Sequence, residues 1–493
     1  MSNTTSKRST FNSRLGFILV SAGCAIGLGN VWKFPYVCSQ NGGGAFLVIY
    51  LLCLVMLGLP ILVCEFSIGR KSRQSIARAY DKLEPNGTYW HLIKYMGISG
   101  NYLLMMFYTM VTGWMLYYVY KYASGNIMEV PQENLSLVFD NILTSPAKSF
   151  LFTAIVIILG MGVCALSLQK GIEKITKYIM SMLIFLMIIL VVNSLCLKDS
   201  FEGVSFYLKP DFGKLLDQGI GNVTFAAMTQ AFFTISVGIG SMEIFGSYMK
   251  KDRRLTGEAI NVVALDTGIA IMAGLVIIPA CFAYGIEPDA GPSLLFKTLP
   301  NVFANMTGGR IWGGIFFLFM SFAAFTTVIA VFENIVSMTV ELWNIKKKKA
   351  VIMNLFAMLV LSLPAILGFS VLSKIQLLGD GTNIMDFEDF LVSCNVLPLG
   401  SLITVLFCVK KNGWGWNGFI KEANIGEGIK FPSFLRLYMT YFIPAVICVI
   451  YLKGYYDMFA DKSMPVFIGW MIFGVLLLLA IFGISFLSKP KSR

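Results

Sequence analysis

The first long apolar segment of the chain is interrupted by residues that a membrane helix does not need. Residues 21–36 read SAGCAIGLGNVWKFPY, so three glycines, Asn30 and Pro35 fall within one helix length. Glycine weakens a helix, and proline removes a hydrogen-bond donor. In a bilayer, unwound backbone persists only where protein or a water-filled cavity covers it. The freed carbonyl and N–H groups therefore predict a binding site near the middle of the membrane.

The oxygen atoms expected at this break suit a hard cation. The candidate ligands are backbone or side-chain oxygens from three apolar runs: Gly23, Ala25, Ile26 and Asn30; Thr234 and Ser236; Thr326 and Thr327. Such a set favours sodium over a transition metal, because the ten cysteines and the single His91 show no metal-ligand spacing. The half-helix that begins near Leu28 would also direct free N–H groups towards a carboxylate.

A structural role remains open for each of these residues taken singly. Ser and Thr hydroxyls in membrane helices commonly bond back to their own helix, as Thr326 could. Glycines in such helices often serve close packing. The combination of two broken segments, Asn30 and paired hydroxyls favours the binding site.

Charged side chains also occur inside the apolar runs. Glu65, Asp266 and Glu333 each lie in such a run, where a carboxylate is costly and needs a cation, a proton or a partner. We expect Lys33 to pair with Asp389, with Asp386 as the alternative, and so to close the outer mouth. Arg8 and Glu341 could close the inner side, although a solvated pair at the membrane surface is an equal alternative.

The composition places these residues in a membrane protein. Of the 493 residues, 56% are hydrophobic and only 13% are charged. Twelve apolar runs are each long enough to cross a bilayer. They are centred in residues 15–37, 43–69, 95–122, 150–168, 174–197, 222–249, 257–284, 310–341, 350–371, 383–409, 434–453 and 464–487.

Charge placement predicts the orientation of these spans. The net charge of +12 is concentrated in alternate loops, such as residues 346–349, whereas the intervening loops are more acidic. This is the positive-inside pattern, and it predicts a multi-pass protein of the plasma membrane with both termini in the cytoplasm. Nucleic-acid binding is not expected, because the basic residues form no soluble domain.

Paired breaks indicate internal symmetry. Glycines interrupt the first span and again the sixth, at residues 232–247. Five spans separate equivalent points, so the second copy would be inverted, as in many transporters. The expected division is a cytoplasmic segment 1–12, a first five-helix repeat 13–197, an extracellular loop 198–221, a second repeat 222–410, and helices 11 and 12 with a cytoplasmic end in 411–493. The outer loop 285–309 could be a helical hairpin or a plain loop.

Several stretches resemble the neurotransmitter:sodium symporters, including bacterial members such as the leucine transporter. They are RLGFILVSAGCAIGLGNVWKFPYVCSQNGGGAF, GLPILVCEFSIGR, QAFFTISVGIG, LDTG, the threonine pair of the eighth span and DFLVSCNVLPLG. The resemblance covers nearly the whole chain. It implies an all-α membrane fold of about twelve helices, with an inverted five-helix repeat in which helices 1 and 6 are broken.

The resemblance also implies two sodium sites and a substrate site. The first sodium would be held by Ala25, Asn30, Thr234, Asp266 and the substrate carboxylate, and the second by Gly23, Ile26, Ala323, Thr326 and Thr327. The implied substrate site consists of Ala25, Leu28, Gly29, Leu104, Tyr108, Phe233, Thr234, Ser236, Ile239, Thr327 and Val331.

Gly27 bears on the class of substrate. Monoamine carriers of the family have an aspartate at the matching position, where it replaces a missing substrate carboxylate. A glycine here implies that the substrate brings its own carboxylate, as a neutral hydrophobic or aromatic α-amino acid does. Chloride in animal members lies near the positions of Tyr50, Gln230, Thr234 and Ser236. Here Asp266 should supply the negative charge instead, so no chloride requirement is expected.

Three positions depart from the family pattern. Lys33 stands where arginine is common, and a lysine cannot form a planar bidentate pair with a carboxylate. Ile239 replaces a pocket phenylalanine of the leucine transporter. Ser181 stands in the fifth span where relatives often carry a proline, so the inner release path of the second sodium would differ.

The expected function is sodium-coupled symport of an amino acid by alternating access. A proton-coupled or exchange carrier of the same fold is one alternative, and a substrate sensor that no longer transports is another. An enzyme is not expected, because no constellation of catalytic residues shares one depth in the membrane. The oligomeric state stays open.

Overall fold

Within the described residues, ten continuous apolar helices and two broken ones form the body of the protein. The computed structural model describes residues 9–127, 129–213, 215, 219–285 and 292–487. The spans are, in chain order, span 1 (Arg14–Ala25 and Gly29–Gln40), span 2 (Gly44–Ser72), span 3 (Trp90–Ser124), span 4 (Pro146–Ala165), span 5 (Gln169–Leu195), span 6 (Ile220–Thr234 and Ser241–Ser247), span 7 (Leu255–Ala283), span 8 (Gly309–Trp343), span 9 (Lys347–Leu367), span 10 (Ile384–Val409), span 11 (Ser433–Phe459) and span 12 (Met464–Leu487).

Two of these spans are broken, as the sequence predicts. Within the described residues, ten continuous helices are long and apolar enough to cross a bilayer. The two halves of span 1 meet at an angle of 62°. Span 6 loses its helix after Thr234 and resumes it at Ser241. Ten continuous helices and two broken ones account for the twelve expected spans.

Backbone conformation explains the break in span 6. Ser236, Gly238 and Gly240 have φ angles of 51°, 100° and 74°, in the left-handed region where a helix cannot continue. The bend also brings backbone against backbone, because a Cβ atom added to Gly400 of span 10 would collide with the carbonyl of Gly238. Glycine is therefore required on both sides of this contact.

Short helices connect the spans at both membrane faces. They are Ile76–Leu83, Leu135–Leu143, Ser200–Leu208, Leu299–Asn305 and Trp416–Ala423. The outer loop expected at 285–309 contains one of them, whereas residues 286–291 lie outside the described part of the chain. Just before that helix, Phe296 is buried, and its carbonyl accepts the hydroxyl of Tyr118 at 2.7 Å. This part of the loop therefore packs down onto span 3.

The spans differ in how much of their apolar surface is buried inside the protein. Spans 8 and 10 are mostly buried within the protein, whereas spans 11 and 12 expose most of their apolar residues. An apolar surface of this kind suits lipid contact. The broken spans thus sit inside a protein shell, which the exposed backbone at their breaks requires.

Candidate ion and substrate site

Spans 1 and 8 meet through oxygen atoms at the first break. The α-helix of span 1 ends at Ala25, and the next helical segment begins at Gly29. Thr327 Oγ1 of span 8 lies 3.3 Å from the Gly23 carbonyl oxygen and 3.0 Å from that of Ile26. Three residues of the second predicted sodium set therefore lie together.

The other two members of that set are neighbours in span 8. The Thr326 hydroxyl donates to the Ala323 carbonyl at 2.9 Å, which is the back-bonded arrangement open to threonine in a helix. A Cβ atom on Gly23 would lie 3.2 Å from Thr326 Cβ, so Thr326 also faces the break in span 1. The donor set is all oxygen and carries no formal charge, which suits a hard monovalent cation.

The first predicted sodium set joins spans 1, 6 and 7. Asn30 Nδ2 donates to Asp266 Oδ1 at 2.8 Å and to Thr234 Oγ1 at 3.1 Å, and Thr234 Oγ1 donates to Asp266 Oδ2 at 3.0 Å. Asp266 is fully buried, and no Lys, Arg or His in the described ranges lies within 4.0 Å of it. A buried carboxylate without a cation is costly, so a sodium ion fits this place once Asn30, whose Oδ1 here accepts the Gly27 N–H at 3.2 Å, turns that oxygen to the ion. Ala25, the remaining predicted ligand, ends the helix beside it.

The free N–H groups of span 1 face a tyrosine. Leu28 N–H donates to the Tyr108 hydroxyl of span 3 at 3.4 Å. A Cβ atom on Gly27 would stand 2.6 Å from that hydroxyl and 3.1 Å from Thr327 Oγ1. Tyr108 and Thr327 therefore leave no room for a side chain on residue 27, and their hydroxyl groups face its backbone.

The remaining predicted pocket residues come from spans 3, 6 and 8. Leu104 lies one helical turn before Tyr108, and Val331 lies one turn after Thr327. Phe233, Ser236 and Ile239 lie at the break in span 6. The partly exposed members of the predicted substrate set are Gly29, Leu104, Phe233 and Ser236, whereas the others are buried.

The outer gate pair is not formed in this structure. Lys33 Nζ lies over the ring of Phe233, 4.7 Å from its centroid, and Asp389 accepts the Ser393 hydroxyl at 2.7 Å. Asp386 instead caps a helix, where its carboxylate accepts the Asn383 N–H at 2.9 Å. Neither acid therefore pairs with Lys33 in this structure, and both stay candidates for the ion pair that would close the outer mouth.

Glu341, which the sequence analysis assigns to the inner gate, contacts the residue before a short helix. Arg8 lies outside the described residues. Its expected partner Glu341 accepts both the N–H and the hydroxyl of Ser75, at 3.0 and 2.7 Å. Ser75 precedes the helix Ile76–Leu83, so Glu341 fixes this helix against span 8.

Three residues at these breaks were not singled out from the sequence. Asn101 of span 3 donates to the Ile239 carbonyl at 2.8 Å, and Glu173 of span 5 accepts the N–H groups of Asn12 and Ser13 at 2.8 and 3.1 Å. Glu243, a fully buried carboxyl in span 6, is the third. A polar side chain inside an apolar run was the available signal for Asn101 and Glu243, whereas nothing local marks Glu173.

Comparison with known proteins identifies the family. The family model described as the sodium:neurotransmitter symporter family matches residues 8–129 and 135–488. The chain belongs to this family. The all-helical fold and the predicted resemblance are thereby confirmed, as is the prediction that the chain is not an enzyme.

Two bacterial members of the symporter family match almost end to end. An uncharacterised sodium-dependent transporter of Bacillus subtilis is 34% identical over 445 residues, which are 90% of this chain and 96% of that one. A second, from Haemophilus influenzae, is 31% identical over 92% of this chain and all of that one. The symporter described here is therefore a multi-pass, sodium-dependent transporter.

A solved symporter structure shares the fold. The crystal structure of MhsT in complex with L-phenylalanine superimposes with a TM-score of 0.80 at 36% sequence identity. The match covers 91% of this chain and 100% of that one. The similarity therefore extends across both broken spans.

Proposed function

We propose that this symporter carries a neutral, hydrophobic or aromatic α-amino acid into the cell together with sodium. The observation that carries the proposal is the cluster of Asn30, Thr234 and Asp266, which begins two residues after Leu28, whose N–H donates to the Tyr108 hydroxyl. A sodium ion in the cluster would sit next to a carboxylate held by those N–H groups. Ion and amino acid would then bind better together than alone, which is the condition for coupled transport.

The choice of an amino acid rests on the space opposite Gly27. Tyr108 and the N–H of Leu28 offer donors to a substrate carboxylate, and no acidic side chain stands at residue 27 to replace it. Ile239 and Val331 would line the far end with apolar surface. MhsT, the structural neighbour, is complexed with L-phenylalanine, which agrees with a large apolar side chain.

Two sodium ions and no chloride are proposed. Asp266 would hold the first ion, and its fixed charge makes an added anion unnecessary. Tyr50 and Gln230 match the chloride position of animal members, and among the described residues the buried Tyr50 hydroxyl and Gln230 Oε1 have no hydrogen-bond partner. Replacement of chloride by another anion is therefore the necessary test. We further propose the plasma membrane as the location, with both termini in the cytoplasm, from the basic loops.

Alternating access follows from where the second sodium would lie. It would join the carbonyls of span 1 to the hydroxyls of span 8, and these spans belong to different bodies if spans 1, 2, 6 and 7 rock against spans 3, 4, 8 and 9. An ion between them stabilises the arrangement in which the two bodies touch. Its loss to the cytoplasm would favour opening, because a ligand shifts a conformational equilibrium only by its differential affinity.

Uptake by proteoliposomes tests the proposal. Purified protein is reconstituted, a sodium gradient is imposed, and a panel of labelled amino acids is offered with potassium or choline as controls. We expect accumulation of large neutral amino acids that requires the sodium gradient. Accumulation driven equally by a proton gradient would favour the proton-coupled alternative. Sodium-dependent binding without uptake would identify a sensor.

A further inference from the structure

Two carboxyl groups lie together beneath the break in span 6, outside the ion and substrate sites. Glu65 of span 2 and Glu243 of span 6 are both fully buried. One oxygen of Glu65 accepts the Gly238 N–H at 2.5 Å, and its carboxyl faces the backbone amides of Met242 and Glu243. Glu65 therefore lies directly against the backbone that carries Glu243.

The side chain of Glu243 has few partners. One of its oxygens accepts the hydroxyl of Tyr80 at 2.9 Å, and the other is buried without a hydrogen bond. The Tyr80 hydroxyl also lies 3.0 Å from Thr404 Oγ1 of span 10. Burial raises the pKa of Tyr80 well above its usual value, so this hydroxyl keeps its proton.

No cation compensates the two acids. The titratable groups that face them are Cys24, Cys64, Tyr80 and Cys408. Throughout the described ranges, no Lys, Arg or His lies within 4.0 Å of either carboxyl group. Two neighbouring ionised carboxylates in such surroundings would be very costly, and like-charged pairs of this kind retain a proton.

We propose that Glu65 and Glu243 form a proton-binding site inside the membrane, which holds one proton on Glu243. Each acid has one buried oxygen without a hydrogen bond, but the Gly238 N–H stabilises the charged form of Glu65, whereas no backbone N–H of the described residues donates to the Glu243 side chain. A protonated Glu243 can donate to the Tyr80 oxygen while Tyr80 donates to Thr404. The acid proton of Glu243 and the hydroxyl proton of Tyr80 then each have an acceptor.

The inner gate controls access to this proton. Tyr80 lies on the helix Ile76–Leu83, and its ring packs 4.7 Å from that of Phe407, so both rings lie against the acids on the side that the basic loops predict to be cytoplasmic. The helix is fixed at its start, where Glu341 holds Ser75. Opening the inner side must release this helix and uncover Glu243. The proton would therefore be held while the inner side is closed and would exchange with the cytoplasm when it opens.

Infrared spectroscopy of the purified protein tests the site without any transport. We expect the carbonyl stretch of a protonated carboxylic acid near neutral pH, with a shift in heavy water, and its loss in Glu243→Gln. Glu333→Gln is the matched control, because Glu333 is equally buried but has Lys347 Nζ at 2.9 Å, and it should leave the band unchanged. A spectrum of Glu243→Gln identical to that of the native protein would overturn the proposal.

The pH dependence of ligand binding is the second test, and only this test rests on the proposed function. A proton that stabilises the inner-closed form is fully bound below the pKa of the site in that form and is lost above it. Sodium-dependent amino-acid binding should then weaken at alkaline pH by up to tenfold per pH unit. Glu243→Gln should bind at low pH like the native protein and lose this dependence.

The outcomes separate the two proposals. Absence of any sodium-dependent binding in the native protein would defeat the proposed function and leave the infrared result standing. An unchanged pH dependence in Glu243→Gln would defeat the proton site alone. Should that variant fail to fold, Tyr80→Phe removes the hydroxyl that contacts the acid, and it should shift the infrared band. A band that does not move would count against the assignment.

Discussion

At the scale of single residues, one missing side chain bears on the substrate class. Because residue 27 is glycine, the Tyr108 hydroxyl and Thr327 can lie close to its backbone, and any Cβ atom there would crowd the tyrosine. The sequence predicts this role through a family resemblance, and the structure adds the steric reason. The glycine and the tyrosine would act together, since one makes room and the other supplies a donor.

Replacing Gly27 should change what the protein binds. We expect Gly27→Asp to lose amino-acid binding at least a hundredfold, because its carboxylate repels that of the substrate and crowds Tyr108. The double variant Gly27→Asp with Tyr108→Phe restores the space, and it should bind the amine that corresponds to the best amino acid. Equilibrium binding of both ligands measures this. Recovery of amino-acid binding in the double variant would show that Gly27→Asp acts only by crowding Tyr108 and not by repelling the substrate carboxylate.

The ion ligands give a second prediction for single residues. Asn30→Ala removes the amide that joins Thr234 to Asp266, and Thr326→Ala removes a hydroxyl at the second set. Each should weaken sodium-dependent binding at least tenfold, or about 1.4 kcal/mol.

A matched threonine serves as the control for these variants. Thr153→Ala in span 4 removes a similar back-bonded hydroxyl far from both breaks, and it should bind sodium and ligand as the native protein does. Isothermal titration with sodium compares the three variants. Native-like sodium affinity in Asn30→Ala and Thr326→Ala would refute both ligand assignments.

The sequence predicted where functional side chains lie in the fold better than it predicted which of them form pairs. Asn30, Thr234 and Asp266 come together because they lie at the breaks and along span 7, which the sequence marks. The expected contact of Lys33 with Asp389 depends on how far the outer mouth is closed, and here Lys33 lies on Phe233 instead. A pair that forms in only one conformation cannot be placed from sequence alone.

At the scale of helices, hydrophobic length located the spans well. Span 8 was expected at residues 310–341 and runs from Gly309 to Trp343. The start of span 5 was not predictable from the sequence. A π-helical turn, Gln169–Glu173, precedes its continuous α-helix and presents Glu173 to the N-terminal segment. Ser181, where relatives often have proline, bonds back to the Lys177 carbonyl at 2.8 Å. A contact between residues about 160 positions apart leaves no local pattern.

Glu173 should help to keep the inner side closed. Its carboxylate accepts the backbone N–H groups of Asn12 and Ser13 and the Ser13 hydroxyl, and hydrogen bonds to a charged group contribute about 1.5–3 kcal/mol. Glu173→Ala should free this segment, increase the alkylation rate of buried Cys24 and weaken sodium binding. Glu202→Ala, on an outer helix, is the control. Equal alkylation of Cys24 in both variants would argue against the role.

At the scale of the whole molecule, the proposed ions supply the driving force. Each sodium ion that crosses a potential of 100 mV contributes about 2.3 kcal/mol. Two ions would support more than a thousandfold accumulation of a neutral solute, at about 1.4 kcal/mol per decade. The proton site described above opens only towards the cytoplasm, so it would regulate the cycle and would add no counter-transported charge.

Current and flux together test this stoichiometry. We expect about two charges to move with each amino acid in proteoliposomes at a fixed voltage. Replacing chloride with gluconate should leave both quantities unchanged, because Asp266 supplies the negative charge beside the first ion. A ratio near one would indicate a single sodium ion or a returning proton. Uptake that collapses in gluconate would show that the anion is required after all.

The contact between Gly400 and Gly238 has a consequence for genetic variation. Even one methyl group on residue 400 would wedge the two main chains apart, although alanine is otherwise among the mildest changes in a helix. A random-mutagenesis screen should therefore recover alanine at this site among its loss-of-uptake clones. The protein in such clones would still insert into the membrane, but the added methyl group would block transport.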